Sequence, residues 1–207
     1  SKKTTNYDFE AIEPIYISEK RLPCGGALTL GSWNNRLVVA DWIDGWHHST
    51  IMNRLQKYTK ASVVKSTSKV IETASDWLDA YFEGSKEAPD FDLLFLGTDF
   101  QKRVWQLLLE IPYGETITYG ELAQKPELQK PLDIGVAIGD NPFSIIVPCH
   151  RVIGKDKSLT GYGGGFDVKN ICSHTNSAPI SKIYLLATAQ GALLDRHTKN
   201  FRSCNGT

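Results

Sequence analysis

The chain has 207 residues, of which 41% are hydrophobic and 22% are charged, a composition typical of a globular protein with a sizeable core. Its 23 basic and 23 acidic residues give a formal net charge of zero, which argues against strong nonspecific binding to nucleic acid but allows recognition through a small contact surface. No apolar run is long enough to span a membrane and the first residues lack the apolar core of a signal peptide, so we expect a cytoplasmic protein without membrane association.

Residues 1–90 have the patterns of a small structural domain. Two runs rich in β-formers, 27–32 and 36–42, flank the turn-forming pair Asn34-Asn35 and predict a β-hairpin. An amphipathic helix is predicted further on, because apolar residues recur there at helical spacing: Val70, Ala74, Trp77, Leu78 and Tyr81. Its aromatic residues are expected to lie in the core.

A second domain is predicted after a linker at residues 84–92, which is rich in Pro, Gly and charge. Residues 91–96 are predicted to form a short strand. A helix capped by Thr98 or Asp99 and ended by Pro112 follows, with these apolar residues on one face: Phe100, Val104, Leu107, Leu108 and Ile111.

Two short helices are predicted beyond this point, at residues 118–123 and 132–138. A connection broken by prolines, residues 126–131, lies between them. Two short helices joined in this way are the plan of a helix-turn-helix.

A cysteine and a histidine follow the apolar run at residues 145–147. This run, bounded by Pro148, predicts a buried strand that ends where Cys149 and His150 begin. A thiolate is a strong nucleophile, and a nearby imidazole can accept its proton near neutral pH. The pair alone favours a small buried cysteine beside a hydrogen-bonded histidine, and only the flanking residues change that interpretation.

The cysteines show no pattern of a metal site or a disulfide framework. Cys24 with His47 and His48 is the one metal candidate, but the spacing fits no standard site. We therefore expect no metal. The four cysteines are scattered along the chain: Cys24, Cys149, Cys172 and Cys204.

The flanking residues carry a family resemblance over residues 97–169. The matching segments are GTDFQ at 97–101, VW at 104–105, IPYGETITYGELA at 111–123, NP at 141–142, PCHRV at 148–152 and GY at 161–162. In this order and with this spacing, they resemble the O6-alkylguanine-DNA alkyltransferases, also called methylated-DNA–protein-cysteine methyltransferases.

The resemblance implies DNA repair by a single-turnover transfer of an alkyl group from O6-alkylguanine, and from O4-alkylthymine, to Cys149. The damaged nucleotide would be rotated out of double-stranded DNA into a pocket. His150 would activate the thiol through a water that Asn141 helps to hold. No cofactor would be needed, and we expect the protein to act as a monomer.

The resemblance also implies which residues bind DNA and the rotated base. The second short helix would enter the minor groove, Tyr119 would rotate or hydrogen-bond the base, and two residues would line its pocket. The implied DNA- and base-binding residues are Tyr119, Leu132, Gly135, Ala137, Tyr162 and Gly163.

The chain departs from the family pattern at three places, and two of these departures predict weaker DNA binding or a less reactive cysteine. The family's intercalating arginine falls at Leu132, which predicts weaker DNA binding and base flipping. The chain is one residue shorter than usual between Tyr119 and Leu132. The glutamate that orients the histidine falls at Asn176, which predicts a less nucleophilic cysteine, and residues 177–207 resemble nothing in the family.

We therefore predict an α/β (α+β) fold in which a small N-terminal sheet-plus-helix domain, residues 1–90, precedes a mostly helical domain with a helix-turn-helix, residues 91–176. An atypical tail, 177–207, would follow. Two other functions compete with repair. The first is a noncatalytic or decayed protein that binds and flags alkylated DNA, which Leu132 and Asn176 favour but Cys149 does not. The second is an unrelated cysteine hydrolase, which would need a separated histidine and an oxyanion loop.

Overall fold

The computed structural model of the protein describes residues 12–23, 26–43, 45, 48–126, 128 and 131–153, with the backbone alone at 131, 132, 150 and 153. Within these residues the elements in chain order are β1 (Ile15–Arg21), β2 (Ala27–Trp33), β3 (Arg36–Trp42), α1 (His48–Thr59), β4 (Val63–Lys65), α2 (Lys69–Phe82), α3 (Asp99–Leu109), β5 (Ile117–Thr118), α4 (Tyr119–Ala123), α5 (Pro131–Gly139), a 3₁₀ turn (Cys149–Arg151) and β6 (Val152–Ile153). A small mixed sheet and several helices confirm the predicted α/β class.

The sheet has four strands in the order β3-β2-β1-β4. The pairs β1–β2 and β2–β3 are antiparallel, whereas β4 runs parallel to β1. The predicted hairpin is confirmed as β2–β3. Its two turn residues, Asn34 and Asn35, have φ angles of 49° and 59°, a left-handed conformation that asparagine tolerates well and that suits a two-residue hairpin turn.

The predicted amphipathic helix is confirmed as α2. The side chain of Ser68 caps it by accepting a hydrogen bond from Ile71 N at 3.3 Å. Tyr81 is buried, and Trp77, which is half-buried, stacks on it with the ring centroids 5.4 Å apart. The helix packs on β2 and β3, so its aromatic face lies in the core as predicted.

The predicted helices of the second half are also confirmed, as α3, α4 and α5. Thr98 is the N-cap of α3, and it forms a capping box with Gln101. Thr118 and Glu121 form the same motif at the start of α4. Since the segment between α4 and α5 is only partly described, the helix-turn-helix stays a prediction.

The strand predicted at residues 91–96 is wrong. Only Leu93 pairs there, through a single parallel bridge to Leu37 on β3, with Leu37 N donating to Asp92 O at 2.9 Å and Leu94 N to Leu37 O at 2.8 Å. The pairing extends no further because Ala40, the next position on this edge of β3, bonds to residues 142–144 instead.

One apolar cluster joins the two halves of the chain. It contains Leu28 and Leu30 from the sheet together with Trp105 of α3 and Phe143. The predicted boundary near residue 90 stays a prediction. No helix among the described residues is long and apolar enough to cross a membrane.

Candidate active site

The apolar run before Cys149 forms a turn, so the predicted strand at residues 145–147 is wrong. Ile145 has a φ of 70°, which is a strained, left-handed conformation for a β-branched residue. Ile146 N donates to Ser144 O at 2.8 Å, and Val147 N donates to Phe143 O at 3.0 Å. The run is fully buried all the same. An unbroken apolar run reports burial, which a buried turn satisfies as well as a strand.

Asn141 holds this turn in shape with its side chain. Its Oδ1 accepts a hydrogen bond from Phe143 N at 2.9 Å, while its Nδ2 donates to Phe143 O at 3.2 Å and to Val147 O at 3.0 Å. Only 4% of the residue is exposed. An Asn side chain that bonds to nearby backbone groups in this way offers the chain an alternative to a strand ladder. Asn141 therefore fixes the backbone that leads to Cys149.

The edge of the N-terminal sheet holds the same turn from the other side. Ala40 N on β3 donates to Pro142 O at 2.8 Å, and Ser144 N donates to Ala40 O at 2.7 Å. These bonds satisfy backbone groups on an edge strand and anchor residues 142–144.

Cys149 begins the 3₁₀ turn and is 3% exposed. Its amide donates to Val147 O at 2.8 Å, so the cysteine backbone bonds to the carbonyl that Asn141 also holds. The backbone of His150 lies in the same 3₁₀ turn. A buried thiol on a backbone fixed by several hydrogen bonds can present its sulfur in one orientation.

Arg151 binds the end of this turn to the segment that follows α3. Its Nη1 donates to Ile111 O at 2.8 Å, and its guanidinium lies 5.6 Å from the centroid of the Tyr113 ring. The side chain is buried. No role was predicted for Arg151, although its position next to the cysteine–histidine pair was a usable signal.

A cavity of about 150 Å³ opens near the turn. Ile145, Ile146 and Pro148 line one part of it, and Tyr113 and Arg151 line another. Cys149 itself does not line this cavity.

Three of the predicted DNA-contacting residues fall on described elements with different surroundings. Tyr119 is half-buried at the start of α4 and packs against the main apolar cluster. Gly135 is exposed in the middle of α5, beside Val136, which is 64% exposed. Ala137 is buried, and its carbonyl accepts a hydrogen bond from Trp105 Nε1 at 2.8 Å, which links α5 to α3.

Residues 99–175 match the family model of the 6-O-methylguanine DNA methyltransferase DNA-binding domain. The methylated-DNA–protein-cysteine methyltransferase of Methanosarcina barkeri is 51% identical over 104 residues, covering 49% of this chain and 65% of that protein. The enzyme of the same name from Mycobacterium tuberculosis is 54% identical over 99 residues, covering 46% and 59%. In these alignments the chain therefore spans less than two thirds of its curated relatives.

The structural comparison extends the match to the N-terminal half. The crystal structure of Mycobacterium tuberculosis OGT in complex with DNA superposes with a TM-score of 0.68 at 36% identity, covering 81% of this chain and 98% of that one. The chain belongs to the methylated-DNA–protein-cysteine methyltransferase family. The O6-methylguanine-DNA methyltransferase of Pyrococcus kodakaraensis, at 21% identity and a TM-score of 0.53, shares the fold.

Several predicted residues of this methyltransferase-family chain lie outside the described residues. The side chains of Leu132 and His150 belong to this group, as do Tyr162, Gly163 and Asn176, and their roles stay predictions. Cys24 and His47 of the metal candidate also lie outside. His48 is described, and its Nδ1 lies 3.0 Å from Asp41 Oδ2. No cluster of potential metal ligands occurs within the part of the chain that the structure describes.

Proposed function

We propose that the chain repairs DNA by transferring one alkyl group from O6-alkylguanine to Cys149, and that each molecule acts once. The observation that carries this proposal is the buried Cys149 on a turn fixed by Asn141 and by the edge of β3. Membership of the methyltransferase family supports the same chemistry.

The reaction is an in-line displacement at the alkyl carbon. The Cys149 thiol loses its proton, the sulfur forms a bond to the carbon, and the bond from that carbon to guanine O6 breaks. A proton returns to the purine, which restores guanine. The thioether is too stable to hydrolyse, so the alkylated protein is a dead end, and no metal or cofactor takes part.

His150 would take the thiol proton through a water molecule, as the family pattern implies. Asn141 would act mainly by orientation. Both hydrogens of its amide nitrogen are used by Phe143 O and Val147 O, so the water would have to bond to the remaining lone pair of Oδ1. In this arrangement Asn141 would hold both the relay water and the backbone that leads to Cys149.

The partner we propose is double-stranded DNA that contains O6-alkylguanine or O4-alkylthymine, bound by one copy of the chain. The exposed Gly135–Val136 face of α5 suits the minor groove, where a glycine lets the backbone approach closely. Tyr119, Tyr162 and Gly163 would hold the flipped base. Leu132 would act as an apolar wedge in place of the family's arginine.

A domain boundary near residue 90 is part of the same proposal. Residues 1–90 would support the site, residues 91–176 would bind DNA and react, and residues 177–207 would form a tail. The bonds between β3 and residues 142–144 support a positioning role for the first part.

The decisive experiment measures the intact mass of the protein after incubation with a duplex that carries one O6-methylguanine. We expect the wild type to gain one methyl group, located at Cys149 by peptide mapping. Cys149→Ala, and the wild type with unmodified duplex, are the controls and should gain nothing. A folded wild type that binds the lesion duplex but gains no methyl group would refute repair and leave the noncatalytic lesion-binding function.

A further inference from the structure

A side chain of the N-terminal half reaches the end of the proposed DNA-contacting helix. Arg54, on α1, donates from Nη2 to the backbone carbonyl of Asp140 at 2.8 Å. Its guanidinium also lies 5.3 Å from the centroid of the Trp105 ring. Asp140 directly follows α5 and precedes Asn141, so Arg54 contacts the junction between the helix and the turn that carries Cys149.

Two side chains of α3 also hold this junction. Trp105 Nε1 donates to Ala137 O at 2.8 Å, and Gln101 Nε2 donates to Asp140 Oδ2 at 3.2 Å. Helix α5 has no basic residue of its own in its last turn. Arg54 therefore supplies from α1 the positive charge that a helix C-terminus favours.

The environment of Arg54 makes this contact stronger than a surface one. The side chain is half-buried, and its Nε has no hydrogen-bond partner among the described residues. Burial lowers the pKa of the Arg54 guanidinium from its ordinary value, and the negative charge of Asp140 opposes that shift. A hydrogen bond from a partly desolvated cation exceeds a neutral one in strength.

We propose that Arg54 is a positioning residue, which fixes the end of α5 relative to Asn141 so that the DNA-contacting helix and the Cys149 turn keep one geometry. Its link to alkyl transfer rests on the proposed function, whereas its hold on the turn does not. Arg54 itself touches neither the thiol nor, in this proposal, the alkylated base.

The test compares three variants by two measurements. Arg54→Met removes the charge but keeps an apolar stem against Trp105, and Arg54→Lys keeps the charge. Lys57→Met removes a charge from an exposed position on the same helix and is the matched control. Amide hydrogen exchange reports the order of Phe143, Val147 and Cys149, and the first-order rate of alkyl transfer at saturating lesion duplex reports the reaction.

We expect Arg54→Met to accelerate exchange at these three amides about tenfold, as the loss of one charge-assisted hydrogen bond allows, and to slow transfer by a similar factor. Exchange in the β1–β2 ladder should not change. Arg54→Lys should restore most of both values, and Lys57→Met should match the wild type.

Each other outcome has a definite meaning. Equal acceleration of all amides, local exchange like that of Lys57→Met, or transfer at the wild-type rate despite faster local exchange would overturn the positioning role. A wild type that transfers no methyl group refutes the proposed function instead. In that case a local change in exchange would still establish that Arg54 positions the turn.

Discussion

Replacing Asn141 with alanine tests the turn that leads to the proposed nucleophile, Cys149. The substitution removes three buried hydrogen bonds between one side chain and the backbone of Phe143 and Val147. It leaves the apolar residues of the turn and the thiol of Cys149 chemically unchanged. The change in stability therefore reports the shape of the turn, whereas the transfer rate also reports the loss of the Oδ1 atom that would hold the relay water.

The magnitude follows from which backbone groups lose every partner. Phe143 O still accepts from Val147 N at 3.0 Å, and Val147 O still accepts from Cys149 N at 2.8 Å. Phe143 N has no acceptor other than Asn141 Oδ1 among the described residues, so it alone becomes an unsatisfied buried donor. One orphaned donor and two weakened acceptors should lower the free energy of unfolding by about 3 kcal/mol.

Urea denaturation measures the loss in the free energy of unfolding, and the rate of methyl transfer measures the effect of the substitution on the reaction at Cys149. We expect transfer to slow by at least about tenfold, since a displacement of the sulfur that raises the barrier by 1.4 kcal/mol has that effect. Asn53→Ala, on the exposed surface of α1, is the matched control and should change neither value. An Asn141→Ala protein within about 0.5 kcal/mol of the wild type, transferring at the same rate, would refute the reasoning.

Asn141→Asp separates the acceptor from the donors of the same side chain. The aspartate keeps an acceptor for Phe143 N but faces the carbonyls of Phe143 and Val147 with oxygen instead of N–H. At neutral pH we expect a loss at least as large as that of alanine. Part of it should return as the pH is lowered and the carboxyl group protonates.

Three further predictions concern other parts of the molecule. Gly97→Ala should destabilise the protein by about 1–3 kcal/mol in urea denaturation, because the new Cβ would lie 2.7 Å from the buried Trp105 ring, whereas Gly120→Ala, with no atom closer than 3.9 Å, should not. Gly135→Ala meets no atom of the described residues within 4 Å beyond its own helix, so it should stabilise α5 by up to about 1 kcal/mol, yet weaken binding to the lesion duplex. Unchanged binding in a titration would contradict a minor-groove role. Burial raises the pKa of Tyr113 above its ordinary value of 10.0. The neutral phenol therefore stabilises the folded state fully below pH 10.0, and this stabilisation is lost as the pH rises through the raised pKa of the folded state. Tyr113→Phe should accordingly flatten the alkaline decline of the unfolding free energy, and an identical decline in both proteins would refute the assignment.

The sequence by itself determined the features that depend on neighbours along the chain. Asn34-Asn35 specified a hairpin turn because asparagine tolerates a positive φ, and Thr98 specified a helix start because its hydroxyl can cap a backbone N–H three residues on. The spacing of apolar residues specified α2. The cysteine–histidine pair and its flanking motifs specified the family, which the comparisons confirm.

Helix α1 had a signal in the sequence that the predictions did not use, namely the spacing of its apolar residues. Ile51 and Leu55, four residues apart, form the buried face of α1. Such a short apolar stripe is ambiguous alone, because the helix depends on packing against the sheet for its stability.

Only the tertiary structure decided how the turn that leads to Cys149 is built. Residues 145–147 are apolar enough for a strand, but Asn141 captures their backbone groups and the edge of β3 takes the neighbouring ones. Ala40 lies far along the chain from residues 142–144, and Arg54 lies 86 residues before Asp140; nothing in their local sequence marks these contacts. Hydrogen bonds between distant segments depend on how the sheet and helices pack, so the position of Cys149 follows from the whole fold and not from its motif.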